Sequence, residues 1–324
     1  MKRRLSAIAA VIAVTTAGCG QLGQDAGGPF PSANVEIMVP AAPGGGWDLT
    51  ARSMQQVLKE GKLVDQPVEV FNVVGAGGTV GLSQLVNKGK GDAHQWMVTG
   101  LVMVGAIVQN KAATDLTQVT PIATLTAEPE VVVVRADSKY RTLKDLLADA
   151  GRVKWGGGSV GGTDHLLVGM LAKAAGGTPK NMQYVGYSGG GEAKAGVLSG
   201  DVTAAVSGVS EFESLIKSGE LRALAVSGAT GVTVAGRPVP SIKEAGFEAE
   251  LMNWRALVAP PGVSDADAKA VGRLVDTLHS SPQWQAILKK QGWTDYYRSG
   301  QEAKDFIAGE TTRIKKLVAE LGLA

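Results

Sequence analysis

Short apolar runs alternate with segments of helical periodicity along most of this chain. The first run, Val35 to Val39, is typical of a strand, and it is followed by a helical face formed by Leu49, Met54, Val57 and Leu58. The same order of strand and helix recurs through the middle of the chain. This alternation predicts open α/β sheets with helices on both faces.

The alternation is interrupted around residues 124–134 and again around 228–254. Because 324 residues exceed the usual size of one domain, we interpret the interruptions as the crossings of a two-lobed, hinged protein. The run Val131 to Arg135 is apolar on both faces, as in a buried strand of a parallel sheet. The predicted boundaries are 34–128 for the first part of lobe 1, 129–252 for lobe 2, and 253–324 for a return to lobe 1 with C-terminal helices.

Four glycine-rich loops each follow a strand-like run and precede a helix-like one. Free amides and the positive end of the helix dipole make such a junction suitable for binding an anion. Asp48 is the expected N-cap of the first of these helices. One such loop alone is an ordinary turn, but ligands of open α/β sheets bind at the carboxyl ends of the strands, so four loops there predict one cleft. The loops are residues 39–48, 73–81, 155–164 and 184–192.

Composition limits the function classes. A hydrophobic content of 44% with 19% charged residues describes a globular chain, and a net charge of +2 without a basic stripe does not suggest nucleic acid. The three histidines are scattered and the single cysteine cannot join them, so no metal site is expected. The run Gly156 to Gly161 matches G-x-G-x-x-G but lacks an acid about twenty residues later, so no dinucleotide and no other cofactor is expected.

The N-terminus has the features of an export signal. A basic start is followed by a short apolar segment that ends before Cys19. Cysteine after Ala-Gly resembles a bacterial lipobox, although Thr16 stands where a large aliphatic residue is usual; a plain secretory peptide is the alternative. We expect a signal peptide over 1–18, a lipidated Cys19 with a flexible tether over 19–33, and an exported protein anchored to the outer face of the cell membrane or free in the periplasm.

One segment resembles a catalytic motif. The run Gly186 to Gly190 matches the G-x-S-x-G nucleophile elbow around Ser188, in a strand-to-helix context. A triad would need a histidine further along, and the one available, His279, lies in a helical segment. An exported serine hydrolase is therefore a remote alternative.

Arg255 lies in the middle of a predicted strand that leads out of the hinge. A mid-strand arginine needs an anionic partner. A bound carboxylate and a structural salt bridge to Glu211 or Glu250 are equal alternatives. Trp47 and Trp254 each flank a predicted cleft segment, and each is as well explained by burial in the core.

Several runs together resemble the extracytoplasmic receptors of tripartite tricarboxylate transporters, the TctC/Bug family. They are 39–48, 75–81, 156–165, 221–226 and 259–262, in order over nearly the whole mature chain. The resemblance implies a type II-like periplasmic-binding-protein fold, with two doubly wound sheets joined by a hinge that close around a small organic acid. Trp47 and Asp48 after the triple glycine look more like the citrate-type receptors than the broader family.

The resemblance and the loops together define an expected ligand site. The receptor would deliver a tricarboxylate such as citrate to a membrane permease, as a monomer and without catalysis. A dicarboxylate, an aromatic acid or an amino acid as ligand, and a signalling sensor instead of a transporter subunit, remain open. The expected site residues are Pro43, Gly44, Gly45, Gly46, Trp47, Asp48, Gly77, Gly78, Thr99, Ser159, Gly161, Gly162, Thr163, Asp164, Tyr187, Ser188, Gly189, Ser207, Ser210 and Arg255.

Overall fold

A computed structural model of the chain describes residues 30–323. The predicted signal peptide, Cys19 and the tether up to residue 29 lie outside the described residues, so the lipid anchor stays a prediction. Within 30–323, no helix is both long and apolar enough to cross a membrane.

Strands and helices alternate as the hydrophobic pattern predicts. The strands are β1 (Val35–Val39), β2 (Val68–Asn72), β3 (Gln95–Gly100), β4 (Thr120–Arg135), β5 (Lys154–Gly157), β6 (Gln183–Gly186), β7 (Ala204–Gly208), β8 (Leu221–Val226), β9 (Val232–Val234), β10 (Arg237–Val239), β11 (Met252–Ala259) and β12 (Thr294–Ser299). The helices are α1 (Gly46–Glu60), α2 (Thr79–Lys88), α3 (Leu101–Gln109), α4 (Leu143–Ala148), α5 (Thr163–Ala174), α6 (Gly190–Ser199), α7 (Val209–Ser218), α8 (Asp265–Ser280), α9 (Pro282–Gln291) and α10 (Gly300–Leu321).

The long strand β4 connects the two lobes. The strands of the ten-stranded sheet run in the order β2-β1-β3-β11-β4-β7-β5-β6, and β8 and β12 also pair with β4. The first half of β4 pairs with β11 and the second half with β7 and β8. The mixed α/β, two-lobed fold expected from the sequence is confirmed.

The sequence suggested two separate strands around 124–134, and this is wrong, because β4 is one continuous strand of 16 residues. Its partner changes in the middle: Pro129 pairs with Met252 of β11, and Glu130 pairs with Gly208 of β7. A proline and two acids at this change of partner interrupt the apolar pattern without ending the strand. The run from Val131 is also antiparallel to its neighbours, so the parallel environment expected for it is wrong.

The C-terminal helices close the core on one side. Helices α8 and α9 pack against α1. Helix α10 packs on α3 and β4 but also reaches α5 of lobe 2, where Leu321 lies beside Gly169. The last helix therefore contacts both lobes.

Gly105 allows α3 of lobe 1 to approach the third glycine loop of lobe 2. A Cβ at Gly105 would lie 1.9 Å from the carbonyl oxygen of Gly161. Because a backbone atom cannot move aside locally, the two lobes can approach this closely only with glycine at 105.

We expect Gly105→Ala to hold the lobes further apart and to lower the free energy of unfolding by about 1–3 kcal/mol. Small-angle scattering should give a larger radius of gyration than for the wild type. Gly272→Ala in α8 is the control, since nothing lies within 4 Å of a Cβ there, and alanine should stabilise that helix by up to about 1 kcal/mol. An unchanged radius for Gly105→Ala would contradict the prediction.

Candidate ligand-binding cleft between the lobes

A cavity of about 360 Å³ lies between the lobes, and all four glycine loops reach it. It is set at the carboxyl ends of the strands, where ligands of open α/β sheets bind. Its volume lies within the range of small-molecule sites. The lining residues are Pro40, Ala41, Ala42, Gly45, Gly46, Trp47, Val74, Gly75, Ala76, Gly77, Gly78, Val102, Asn110, Gly158, Ser159, Val160, Gly162, Thr163, Asp164, Gly186, Tyr187, Ser188, Gly189, Gly190, Glu192, Ser207, Glu211, Asn253 and Arg255.

Most of the expected site residues come together at this cavity. Those that line it are Gly45, Gly46, Trp47, Gly77, Gly78, Ser159, Gly162, Thr163, Asp164, Tyr187, Ser188, Gly189, Ser207 and Arg255. The expected residues outside the lining are Pro43, Gly44, Asp48, Thr99, Gly161 and Ser210.

Asp48 stabilises the first loop from behind instead of facing a ligand. Helix α1 begins at Gly46 with Gly45 as its N-cap, so the N-cap role expected for Asp48 is wrong. Its buried carboxylate accepts hydrogen bonds from the Gly44 amide and from the Nε of Arg52, both at 2.9 Å. Although burial raises the pKa of Asp48, these hydrogen bonds hold it below its ordinary value. Asp48 therefore fixes the loop conformation.

The protein's own carboxylates already use amides of three glycine loops. Such amides at helix starts were expected to receive the carboxylate of a ligand. The internal donor–acceptor pairs are Gly44 to Asp48 at 2.9 Å, Gly46 to Glu211 Oε1 at 3.3 Å, Gly158 to Asp164 at 2.5 Å, and Ser188 to Glu192 at 3.0 Å. The cavity therefore offers fewer amides to an anion than the sequence suggests.

Arg255 on β11 pairs with Glu128 on β4. Both side chains are about 1% exposed, and the Nη2 of Arg255 bonds to Oε1 of Glu128. The salt-bridge partners considered from the sequence are wrong, since Glu250 is exposed and Glu211 bonds to Gly46 instead. The Nη1 of Arg255 is buried and has no hydrogen-bond partner among residues 30–323. Arg255 thus lines the cavity with one donor atom that has no partner.

Three further carboxyl groups surround this ion pair. Burial, reinforced by neighbouring carboxylates, raises the pKa of Glu211 to about 7. Burial also raises the pKa of Asp164 to about 6, although the Gly158 amide opposes the shift. Glu130 is fully buried with both oxygens unpaired within the described part of the chain, and its pKa is raised well above the ordinary value, first by burial and then by Asp164. The ion pair therefore lies among acids, two of which, Asp164 and Glu211, line the cavity.

The sequence reasoning missed Glu128 and Glu130, and it considered Glu211 only as a partner of Arg255. A signal was present: Glu128 and Glu130 stand two apart in a strand that is otherwise apolar, and acids are rarely buried without a partner. Two acids on one face of a buried strand indicate a functional or paired cluster. Asn253, two residues before Arg255 on the same strand, was also missed.

The described histidines have hydrogen-bond partners other than Ser188. The cavity lining within 30–323 contains no histidine. His279 bonds to Asp295 at 3.0 Å and stacks on Tyr297, and His165 accepts from the Gly161 amide, with its pKa lowered to about 4 by burial. Over the same residues, no group of three or more histidine, cysteine, aspartate or glutamate side chains is placed to hold a metal ion.

Two α/β lobes enclosing a cavity of glycine loops define a solute-binding protein. The model of the TctC family, described as "Tripartite tricarboxylate transporter family receptor", matches residues 50–323. The chain belongs to this family of receptors.

Individual proteins are similar to the chain in sequence or in fold. The chain is 30% identical, over 99% of its length and 95% of the relative, to a UPF0065 protein encoded in the tcbD-tcbE intergenic region of Pseudomonas sp. (strain P51). Its fold resembles MatC from Rhodopseudomonas palustris with bound malate, with a TM-score of 0.78 and 22% identity over 89% of this chain and 100% of that one. It also resembles R. palustris Rpa4515 with adipate, with a TM-score of 0.80 and 22% identity over 90% and 98%.

The raised pKa values predict that the ligand-free protein loses stability as the pH rises. The ordinary values are 4.5 for Glu211 and 3.8 for Asp164, below their folded values of about 7 and about 6. Through these two groups the folded state binds more protons, and their contribution to the free energy of unfolding should fall between about pH 4 and pH 7. The raised pKa of Glu130 adds to this fall, whereas His165, whose pKa is lowered to about 4, opposes it between about pH 4 and pH 6.5.

Glu211→Gln should remove part of that loss, raising the stability at pH 8 relative to the wild type by about 1–3 kcal/mol. Thermal unfolding from pH 4 to pH 8 measures this. Glu213→Gln, exposed on the same helix, should follow the wild type. A wild-type stability that increases through this pH range would contradict the prediction.

Proposed function

We propose that this chain is an extracytoplasmic receptor that captures a small organic acid between its lobes and delivers it to the permease of a tripartite transporter. The interlobe cavity carries the proposal, because it combines a volume suited to a small acid with a lining of glycine loops, hydroxyl groups and one arginine. Membership of the receptor family supports the transport role. Export through the N-terminal signal and anchoring through Cys19 belong to the same proposal.

The identity of the acid is the finer part of the proposal. The sequence resemblance suggests a tricarboxylate such as citrate, whereas neighbours in fold hold malate and adipate. Arg255 is already neutralised by Glu128, and Asp164 and Glu211 line the same cavity. Since like charges repel in a buried site, the geometry favours an acid with fewer negative charges than citrate.

Closure of the lobes would convert binding into a signal for the partner. A closing cleft desolvates the hydrogen bonds to the ligand and presents a new surface to the permease. A sensor that hands its closed form to a signalling protein would use the same geometry.

Calorimetric titration of the refolded segment 20–324 with citrate, tricarballylate, succinate, malate, adipate, nicotinate and terephthalate should show one-to-one binding of at least one acid. Ser159→Phe places a ring in the cavity and should weaken that binding at least about tenfold. Ser280→Phe, exposed on α8, should leave it unchanged. Silence across the panel from a protein shown to be folded would reject this ligand class.

Ser188→Ala separates the receptor from the hydrolase. A receptor should keep its fold and most of its affinity, because the Ser188 amide, which bonds to Glu192 at 3.0 Å, is retained. Ester hydrolysis by the wild type that disappears in Ser188→Ala would instead establish an enzyme, since removing a nucleophile abolishes turnover.

A further inference from the structure

The charges around the cavity do not match a ligand that is only anionic. Its lining contains three acids, Asp164, Glu192 and Glu211, and one basic residue, Arg255, within the part of the chain that the structure describes. The carboxylate of Glu128 neutralises the positive charge of Arg255. Asp164 and Glu211 therefore face the cavity without an equal number of cations.

Glu211 lines the cavity and has one acceptor atom without a partner. It is 8% exposed; Oε1 accepts from the Gly46 amide at 3.3 Å, and Oε2 is buried without a hydrogen-bond partner among residues 30–323. A Cβ at Gly190 would lie 1.4 Å from Oε2, so glycine at 190 leaves room for this carboxyl group in its present position. Buried polar atoms are normally hydrogen-bonded, so Oε2 lacks a donor that a ligand can supply.

Arg255 offers the complementary group beside it. Its Nη1 is buried and also lacks a partner in the described chain. Both side chains adjoin Gly46: Glu211 accepts from its amide, and the Nη2 of Arg255 would lie 2.2 Å from a Cβ there. Two side chains that meet at the first residue of α1 thus each carry one polar atom without a partner, Nη1 of Arg255 and Oε2 of Glu211.

The groups that act on Glu211 oppose its charge on balance. Burial and the carboxylates of Glu128 and Asp164 favour the neutral form, and Arg255 and Lys194 favour the charged form less strongly. A cation bound at Oε2 would offset the carboxylates directly.

We propose that the ligand is an organic acid that also carries a positively charged hydrogen-bond donor, an amino or guanidino group, and that Glu211 Oε2 accepts from this group. The inference rests on the proposed receptor function and narrows its substrate class. Arg255 Nη1 donates to an oxygen of the same ligand, so that the acid and the base of the ligand are recognised together. Glu211 is a specificity-determining residue in this arrangement.

The experiment compares matched ligands by titration calorimetry at pH 7: aspartate with succinate, glutamate with glutarate, and 4-aminobutyrate with butyrate. At least one amino acid should bind tenfold or more tightly than its amine-free analogue. Because the bound cation favours the charged form of Glu211, binding should release a fraction of a proton, which the dependence of the enthalpy on the buffer measures.

Glu211→Gln keeps the shape of the side chain, and its folding can be checked by circular dichroism. It should weaken the amino acid at least tenfold, leave the amine-free analogue within about threefold, and abolish the proton release. Glu213→Gln, exposed on the same helix, should behave as the wild type in all three respects.

Two results would overturn the inference while the receptor function stands. One is tighter binding of an amine-free acid with uptake of protons, which would show a neutral Glu211 donating to a ligand carboxylate. The other is an equal loss of both ligands in Glu211→Gln. Silence from all six ligands and from the wider acid panel would overturn the proposed function as well.

Discussion

The rest of the cleft depends on the buried ion pair between Arg255 and Glu128. It joins β11 to β4 at the point where β4 passes from one lobe to the other. Removing one member of a buried ion pair leaves an uncompensated charge and costs about 3–5 kcal/mol. The second oxygen of Glu128 accepts from the Ser210 amide at 3.1 Å, which ties the first turn of α7 to the same point. The pair therefore sets the relative positions of two strands and one helix.

Around this pair, carboxylates of the protein itself bind several of the loop amides that a ligand could have used. Glycine loops at helix starts supply positive potential, and acids from the same chain take up part of it. Asp48 accepts from its loop outside the cavity lining, and Glu192 accepts from its loop within the lining. Glu211 extends from lobe 2 to the first loop of lobe 1. What remains for a ligand is a mixture of donors and acceptors, which suits a small polar acid better than a highly charged one.

Glycine also determines how closely the parts of the cleft approach. Trp47 lies against Gly78, where a Cβ would be 2.9 Å from its ring, and the carbonyl oxygen of Gly161 lies against Gly105. These contacts let an aromatic side chain and a backbone segment close the cavity with little space between them. Close packing of this kind means that small changes in volume displace the lobes.

The sequence by itself determined the class of fold and located the four glycine loops that reach the cavity. It also predicted an export signal. Strand and helix periods are local properties of the chain, and glycine loops between them are visible without a structure. The family resemblance rests on the same loops. Ser159, Gly162 and Thr163 were therefore placed correctly at the cavity from the sequence.

Only the tertiary structure decided which charges meet. Glu128 and Arg255 are 127 residues apart, and Gly46 and Glu211 are 165 apart. No local pattern specifies such pairings, since they follow from the order of strands around β4 and from the closure of two lobes. For the same reason Asp48, which was expected at the ligand, supports its loop from behind, and Glu211, which was considered only as a salt-bridge partner, lines the cavity.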